Sequence, residues 1–269
     1  MRITELLRCA NLAEREAEIL LLHLIKRERS WLFAHGDSVL APDVVDAFQS
    51  LAAQRAEGVP IAYLVGEREF WSLPLAVSPA VLIPRPDTEI LVMWARAVAR
   101  TEGCESLLDL GTGSGAVALA LASELPNCAV TAVDISAEAL AVAKDNGRRL
   151  NLSVAWHQSN WFSALAHKQW PLIVSNPPYI RASDPHLQQG DLPSEPLGAL
   201  VAGDDGLACI RTIIRDSTRH LTSRGHLLLE HGYDQADEVR QLMREAGFAQ
   251  VESRRDLAGH ERVTGGRVR

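Results

Sequence analysis

The second half of the chain alternates between two hydrophobic patterns, and this alternation constrains the fold more than any other feature. Short apolar runs such as LLDL and PLIVSN are typical of buried strands, whereas SAEALAVAKDNGRRL has the spacing of an amphipathic helix. These patterns alternate from about residue 105, and the closing stretches AQVESRRD and ERVTGGRVR predict a final pair of strands. Strands that alternate with helices form a mostly parallel sheet covered on both faces. We therefore predict an α/β, Rossmann-like domain.

The first part of the chain has a different pattern. LAEREAEILLLHLIKRE and APDVVDAFQSLAAQRAEGVP have helical spacing, and no strand pattern interrupts them. The following segment is rich in aromatic and β-branched residues broken by prolines, which is typical of a short hairpin. We expect a helical domain over residues 1–66, a hairpin linker over 67–84 and the α/β domain over 85–269.

Composition excludes several classes of protein. The 27 Lys and Arg residues are outnumbered by 34 Asp and Glu residues, and a net charge of -7 argues against stable nucleic-acid binding. The four cysteines have no metal-ligand spacing, and the nine histidines form no recognisable triad or metal motif. The N-terminus carries acids where a signal peptide would not, and the longest apolar run is too short to span a bilayer. We expect a soluble, cytoplasmic, monomeric protein without a bound metal or a membrane partner.

A glycine-rich loop follows the first strand of the α/β domain. LLDLGTGSGAVALALA places Gly111, Gly113 and Gly115 on a strand-to-helix turn, where bare backbone lets a ligand approach. Asp134 ends the next strand about 20 residues further on, where a carboxylate can accept both ribose hydroxyl hydrogens of an adenosine. Asp109 precedes the loop and would repel a pyrophosphate but attract a cation. The loop therefore resembles the S-adenosylmethionine site of class I methyltransferases more closely than a dinucleotide site.

The sequence NPPY follows another predicted strand, at the same edge of the sheet. The Asn176 side-chain oxygen and the Pro177 carbonyl can accept the two hydrogens of a planar NH2 group, and the consecutive prolines Pro177 and Pro178 hold these acceptors still. Tyr179 can stack on a flat target. The motif resembles the (D/N/S)PPY sequence of methyltransferases that modify a planar nitrogen. From these residues alone, the target is either the amine of a nucleic-acid base or a side-chain amide.

A wider resemblance covers nearly the whole chain. GEREFWSLPLAVSPAVLIPRPDTE, LDLGTGSGAVALALASE, WFSALA, IVSNPPYI, DPHLQQGDL and LLLEHG are similar to the bacterial release factor glutamine methyltransferase family, also called PrmC or HemK. The resemblance implies a seven-stranded, mostly parallel sheet and S-adenosylmethionine as donor, with S-adenosylhomocysteine as product. It also implies that the protein methylates class I peptide chain release factors. The target would be the side-chain amide nitrogen (N5) of the glutamine in their GGQ motif, and the helical domain would contact the release factor.

The resemblance assigns roles to particular residues. It implies that the donor is bound by Gly111, Thr112, Gly113, Ser114, Gly115, Asp134, Asn160, Trp161 and Asn176. It places catalysis on Asn176, Pro177 and Tyr179, and substrate binding on Asn176, Pro177, Pro178, Tyr179, Arg85 and Glu195. Where Asn160 stands, the family usually has an acid, so a contact with the adenine amine would lack charge.

The segment LIPRPDTE has two interpretations. Arg85, Thr88 and Glu89 could border the substrate entrance, with Glu195 as a further candidate. Alternatively, Asp87 or Thr88 caps the following helix and the charges form a surface ion pair.

Three other functions compete with the family assignment. A DNA amino-methyltransferase would use the same NPPY chemistry on a flipped base, but the acidic balance and the lack of a large basic domain argue against it. A non-catalytic scaffold that binds the donor would not need the rigid motif. A nicotinamide dehydrogenase is disfavoured by Asp109 and by the absence of a recognisable hydride-acceptor site.

Overall fold

The computed structural model describes residues 1–165 and 168–269, and in it the chain forms two units. The first unit consists of Met1–Glu67 and His186–Ser194, and the second of Arg68–Pro185 and Glu195–Arg269. A short segment that follows the NPPY motif in sequence therefore belongs to the first unit.

The first unit is helical, which confirms the prediction from its apolar spacing. Its helices are α1 (Ile3–Cys9), α2 (Glu14–Ile25), α3 (Arg29–His35), α4 (Pro42–Ala56) and α5 (Ile61–Val65). Leu20, Leu21 and Phe48 are fully buried at the centre of its core. The apolar residues of α2 and α4 thus pack together within one small bundle.

The segment His186–Ser194 is joined to the helices of the first unit by polar contacts. The Arg55 guanidinium donates to Glu16 Oε1 and to Asp191 Oδ1, each at 2.7 Å. The Ser194 hydroxyl donates to the carbonyl of Gly58 at 3.2 Å. Arg55 is thus shared by carboxylates that are far apart in sequence.

A two-stranded hairpin begins at the boundary between the units, as predicted. It consists of β1 (Glu67–Phe70) and β2 (Leu73–Ala76). The two residues of its turn, Trp71 and Ser72, have φ of 54° and 58°, which is typical of a type I′ hairpin turn. Glu89 Oε1 accepts the Trp71 backbone N–H at 3.1 Å and stabilises this turn.

The second unit is built on the predicted seven-stranded sheet. Its strands are β3 (Ser106–Leu110), β4 (Ala129–Asp134), β5 (Ala155–Gln158), β6 (Trp170–Ser175), β7 (Leu221–Glu230), β8 (Ala249–Arg255) and β9 (Glu261–Arg267). Their order is β5-β4-β3-β6-β7-β9-β8, and of these strands β9 alone runs opposite to the other six. The order reverses at β3, which pairs with β4 on one side and β6 on the other. Ligands bind at such a reversal, outside the carboxyl ends of the strands.

Alternation along the central strands separates two apolar cores. Leu107, Leu172 and Leu228 belong to one core, and their neighbours Leu108 and Ile173 belong to the other. The first core includes residues of α6 (Glu89–Glu102) and α7 (Ala116–Glu124). The second includes residues of α9 (Ala208–Ser217) and α10 (Ala236–Glu245). This period of two is what a sheet covered on both faces requires.

The N-cap residues of two helices use their side chains differently. Ser136 caps α8 (Ala137–Arg149), because its hydroxyl accepts the Ala139 N–H at 3.1 Å. Thr88 occupies the N-cap position of α6, but its side chain caps nothing. A three-residue 3₁₀ turn precedes the helix, and the Thr88 hydroxyl instead accepts a hydrogen bond from Asn176. The predicted capping role of this side chain was therefore wrong.

The described residues contain no helix that is long and apolar enough to cross a membrane. In the same part of the chain, no group of three or more His, Cys, Asp or Glu side chains could hold a metal ion.

Candidate active site

The glycine loop connects β3 to α7 and depends on left-handed backbone. Gly111 and Gly115 have φ of +70° and +85°, which strains any residue with a Cβ. A Cβ on Gly111 would lie 3.4 Å from the Trp161 ring, whereas one on Gly115 would lie 3.1 Å from Leu119 and Trp156. Gly111 thus keeps the space beside Trp161 open, and Gly115 lets α7 pack closely.

Asp134 stabilises the loop from the neighbouring strand. Its Oδ2 accepts the Gly113 N–H at 2.8 Å, and its Oδ1 accepts the Ser136 N–H at 2.9 Å. An ionised carboxylate has about four acceptor positions, so Asp134 can make these two bonds and still accept from a ligand.

Asp109 lies under the loop and is 1% exposed. The Thr112 hydroxyl donates to its Oδ2 at 2.6 Å. Burial raises the pKa of Asp109 to about 7, the charge of Asp134 adds to this increase, and the hydrogen bond from Thr112 opposes it. The carboxyl group is therefore partly protonated near neutral pH, and a nearby cation would favour its charged form.

A cavity of about 420 Å³ opens at this edge of the sheet. It brings together predicted residues from four separate segments: Gly111, Gly113, Asp134, Asn160, Trp161, Asn176 and Pro178. Of the described residues that line it, none is Lys or Arg, and two, Asp134 and Glu138, are acids. A volume of this size suits a small ligand. The lining suits a cationic ligand with hydroxyl groups better than a pyrophosphate.

A second, much smaller cavity of about 50 Å³ lies beside the first. Its lining includes the predicted residues Arg85, Thr88, Asp109, Gly111, Thr112, Gly113, Ser114 and Asn176. Asn176 lines both cavities, as do Gly111 and Gly113. The asparagine of the NPPY motif is therefore placed where the two spaces share a wall.

Asn176 follows β6 directly, and its orientation is defined by hydrogen bonds. Its Nδ2 donates to Thr88 Oγ1 at 3.1 Å, which leaves Oδ1 at the other end of the planar amide. The preceding Ser175 hydroxyl donates to the carbonyl of Leu110 at 2.7 Å. The ends of β6 and β3, and hence the NPPY motif and the glycine loop, are thereby connected.

Tyr179 is bonded at both its backbone and its side chain. The Gln235 Nε2 donates to the Tyr179 carbonyl at 3.0 Å, and the Tyr179 hydroxyl donates to Glu230 Oε1 at 3.4 Å. Glu230 is 1% exposed. Burial raises the pKa of Glu230 to about 7, and hydrogen bonding from Thr88, the charge of Arg262 and the bond from Tyr179 oppose this increase. A titratable carboxyl group therefore lies behind the NPPY motif.

Arg85 and Glu195 form an ion pair with Nη2 and Oε1 at 2.7 Å. The Glu195 side chain is 0% exposed and that of Arg85 is 33% exposed. The ion pair that Arg85 of the LIPRPDTE segment makes is therefore buried at its Glu195 end and partly exposed at its Arg85 end.

Several residues predicted at the site line neither cavity within the described part of the chain: Gly115, Pro177, Tyr179, Glu195 and Glu89. The larger cavity is also lined by residues that were not predicted: Pro79, Ala80, Val81, Leu82, Ile135, Ser136, Glu138, Ala139, Ser159, Pro196, Gly198, Ala199 and Cys209. Ile135 and Glu138 closely follow Asp134, so the position of that acid could have indicated them. The loops around Ala80 and Gly198 carry no such signal.

A larger but more open groove of about 880 Å³ follows α8 and β5. Its lining includes Lys144, Arg148 and Trp156, and none of the predicted site residues contributes to the described lining. We therefore place the candidate site at the smaller, more enclosed cavities around Asn176.

The sheet order, the glycine loop and the acid at the end of β4 define a class I methyltransferase fold. A family model described as "Methyltransferase small domain" matches residues 89–189, and one described as "PrmC N-terminal domain" matches residues 1–66. A solved methyltransferase structure from Pyrococcus furiosus shares the fold, with a TM-score of 0.56 at 19% identity, over 80% of this chain and 96% of that one.

Closer relatives identify the family. The chain is 51% identical to the release factor glutamine methyltransferase of Escherichia coli, over 97% of this chain and 94% of that protein. It is 48% identical to the protein of the same name from Xylella fastidiosa, over 94% of this chain and 92% of that protein. The chain therefore belongs to the release factor glutamine methyltransferase family.

Proposed function

We propose that this protein transfers a methyl group from S-adenosylmethionine to the side-chain amide nitrogen (N5) of the glutamine in the GGQ motif of class I peptide chain release factors. The product of the donor is S-adenosylhomocysteine. The observation that carries this proposal is the position of Asn176. It lines both cavities, and the bond from its Nδ2 to Thr88 leaves its oxygen to accept an amide hydrogen.

The donor site is assigned to the larger cavity and the glycine loop. When bound, S-adenosylmethionine supplies a methyl group on a cationic sulfonium. Asp134 would accept from the ribose hydroxyls, Asn160 from the adenine amine, and Trp161 would flank the adenine ring. The absence of Lys and Arg from the described lining, together with two acids, fits this cationic ligand without phosphates.

The substrate amide needs positioning more than it needs a strong base. Its nitrogen is a weak nucleophile because its lone pair is delocalised. Asn176 Oδ1 and the Pro177 carbonyl would accept its two hydrogens and direct the lone pair at the methyl carbon. The new nitrogen–carbon bond forms as the carbon–sulfur bond breaks, and the nitrogen then releases one hydrogen as a proton. Pro178 stiffens this segment, and Tyr179 would stack on the amide.

The domains of the chain are assigned separate roles in binding the partner and in catalysis. We propose that residues 1–66 form the domain that contacts the release factor, with residues 67–84 as linker and 85–269 as the methyltransferase domain. Arg85 and Glu195 would border the substrate entrance. The acidic net charge of -7 supports a protein partner rather than stable nucleic-acid binding. We also propose that the protein is a cytoplasmic monomer.

A labelling experiment tests the proposed function. The protein is incubated with methyl-labelled donor and, in parallel, with a class I release factor, the same factor with the GGQ glutamine changed to alanine, and duplex DNA. We expect label only in the unaltered release factor. Label in the DNA alone would identify a base methyltransferase, and the absence of label from all three substrates would favour a scaffold. Equal label in the two forms of the release factor would refute the glutamine target.

A further inference from the structure

The side-chain amide of Gln235 connects two loops at the carboxyl edge of the sheet. Gln235 directly precedes α10 and is 3% exposed. Its Nε2 donates to the Tyr179 carbonyl at 3.0 Å, and its Oε1 accepts the Gly232 N–H at 2.8 Å. The last residue of the NPPY motif is therefore attached to the turn between β7 and α10.

Both partners of this amide are backbone groups, and this determines its orientation. A backbone N–H only donates and a carbonyl oxygen only accepts, so the two ends of the Gln235 amide cannot be exchanged. Glutamine supplies the required acceptor and donor in one planar group. An ionised glutamate would present an oxygen to the Tyr179 carbonyl, and a methionine would satisfy neither partner. The residue type at this position is therefore constrained by hydrogen bonding as well as by volume.

The turn that carries Gln235 is closed by further hydrogen bonds. The Gly232 carbonyl accepts the Gln235 N–H at 3.0 Å and is bonded to His231 Nδ1 at 2.8 Å. His231 is fully buried, and its Nε2 is bonded to Thr264 Oγ1 of β9 at 2.7 Å. Gln235 thus extends from a turn that is attached to the sheet.

A third segment packs against the bond between Gln235 and Tyr179. Gly206 is buried in the loop before α9 and has a φ of +75°. A Cβ added to Gly206 would overlap the Tyr179 carbonyl oxygen and lie 2.7 Å from Gln235 Nε2. This close approach leaves no space for a water molecule on that side of the bond.

The prolines of the NPPY motif leave few backbone groups by which it can be held. Pro177 and Pro178 have no N–H to donate. The chain is next paired at Ile180, whose N–H donates to the Leu200 carbonyl at 2.9 Å. The Tyr179 carbonyl and the Ile180 N–H belong to one peptide group. That peptide group is therefore held at its nitrogen by the Leu200 carbonyl and at its oxygen by Gln235.

Resting on the proposed function, we propose that Gln235 is a positioning residue for methyl transfer: it fixes the peptide group after Tyr179, and thereby the Pro177 carbonyl and the Tyr179 ring. These two groups would accept a hydrogen of the substrate amide and stack on it. A displacement of about 1 Å at a reacting group can slow a reaction about 100-fold. Gln235 lines neither cavity in the described part of the chain, so it acts through the NPPY motif.

Two substitutions of similar size test the hydrogen bond that Gln235 donates. Gln235→Met removes both bonds of the amide, whereas Gln235→Glu keeps the acceptor and loses the donor. In steady-state methyl transfer to the release factor at about pH 8, each should lower kcat by about 10- to 100-fold. The affinity for S-adenosylmethionine, measured by calorimetry, should stay within about threefold, because the donor cavity does not include Gln235. A normal kcat in either variant, or an equally large loss of donor affinity, would overturn the proposal.

A pH series separates positioning from a general loss of packing. When the carboxyl group introduced by Gln235→Glu takes up a proton, its O–H can donate to the Tyr179 carbonyl. Burial raises the pKa of such a group, so protonation begins near neutrality. The kcat of Gln235→Glu, divided by that of Gln235→Met, should therefore rise at least about threefold from about pH 8.5 to about pH 6. A ratio that stays constant would overturn the role of the donated hydrogen.

The neighbouring titratable and charged groups are the same in both variants, so they affect the two kcat values alike. On the segments that contact Gln235, these groups are Tyr179, Arg181, Asp205, Glu230, His231 and Asp234. Any rise of the ratio is therefore caused by the introduced carboxyl group.

A matched control tests whether the loss of any buried hydrogen bond has this effect. Ser217 is fully buried in α9, and its hydroxyl donates to the Ile214 carbonyl at 2.9 Å. Ser217→Ala should reduce the thermal unfolding midpoint but leave kcat within about twofold. A loss of kcat as large as that of Gln235→Met would indicate a general loss of structure and overturn the positioning role. If the unaltered protein fails to label the release factor, the proposed function fails; if it labels while both Gln235 variants match it, only the positioning role fails.

Discussion

The glycine loop and the NPPY segment (Asn176–Tyr179) lie after adjacent strands, but they are stabilised in different ways. Leu110 and Ser175 are register partners, so the two segments leave the sheet side by side. Left-handed backbone and one carboxylate, Asp134, hold the glycine loop. Side-chain hydrogen bonds hold the NPPY segment. The donor side should therefore be sensitive to backbone changes, and the substrate side to changes of side-chain polarity.

The largest effect is expected at Asn176. Asn176→Ala removes one of the two proposed acceptors and should lower kcat by about 100- to 1,000-fold. Donor binding should remain measurable by calorimetry, because the glycine loop is intact. The exposed Asn127 provides the control, since Asn127→Ala should leave both quantities unchanged. Near-normal turnover of Asn176→Ala would abolish the distinction between the two segments.

The ion pair of Arg85 tests whether this side of the site depends on buried polar contacts. Arg85→Met should lower the free energy of unfolding by about 2 kcal/mol, because it leaves the buried Glu195 carboxylate without this cation. The loss of stability is limited because Arg85 is partly exposed to solvent. Arg100→Met is the control, since Arg100 is 58% exposed in its pair with Glu124 and should contribute less than about 0.5 kcal/mol. Urea denaturation measures both, and equal losses would contradict the prediction.

Two glycines with the same backbone conformation test the other side of the comparison. Gly111 and Gly103 have φ of +70° and +65°. A Cβ added to Gly111 would lie 3.4 Å from the Trp161 ring, whereas a Cβ added to Gly103 would meet no atom within 4 Å. Gly111→Ala should weaken donor binding about tenfold, with kcat at saturating donor within about twofold. Gly103→Ala should cost similar stability without affecting the donor. Equal donor affinities for the two variants would show that the loop backbone is not critical.

The smallest effect is expected from moderate acidification, and it should act on the glycine-loop side of the site. Asp109, which faces Thr112 and Asp134, loses its charge as the pH falls through about 7 because its pKa is raised. An uncharged Asp109 attracts a cation less, so donor affinity should fall with pH. Asp109→Asn should remove this dependence, and its persistence in that variant would exclude Asp109 as the cause.

Much of the fold was predictable because its signals are local. Strand and helix periods indicated the α/β unit, and the positions of the glycine loop and NPPY after strands indicated one site at one edge. The hydrogen bond from Asn176 to Thr88 was not predictable, because the sequence context of Thr88 is that of a helix cap. The hydrogen bonds of Asn146 were not predictable either. This fully buried residue of α8 donates to the carbonyl of Ser114 at 2.9 Å and to the carbonyl of Ala76 at 3.0 Å. Such contacts depend on which loops meet in three dimensions.

The membership of His186–Ser194 in the helical unit has a consequence for how the protein is made. Arg55 and its partner Asp191 are 136 residues apart in the chain. When the first 67 residues leave the ribosome, they therefore lack contacts that belong to their own unit. Synthesis must pass residue 194 before these contacts can form, which raises the contact order of an otherwise local helical fold and delays its completion.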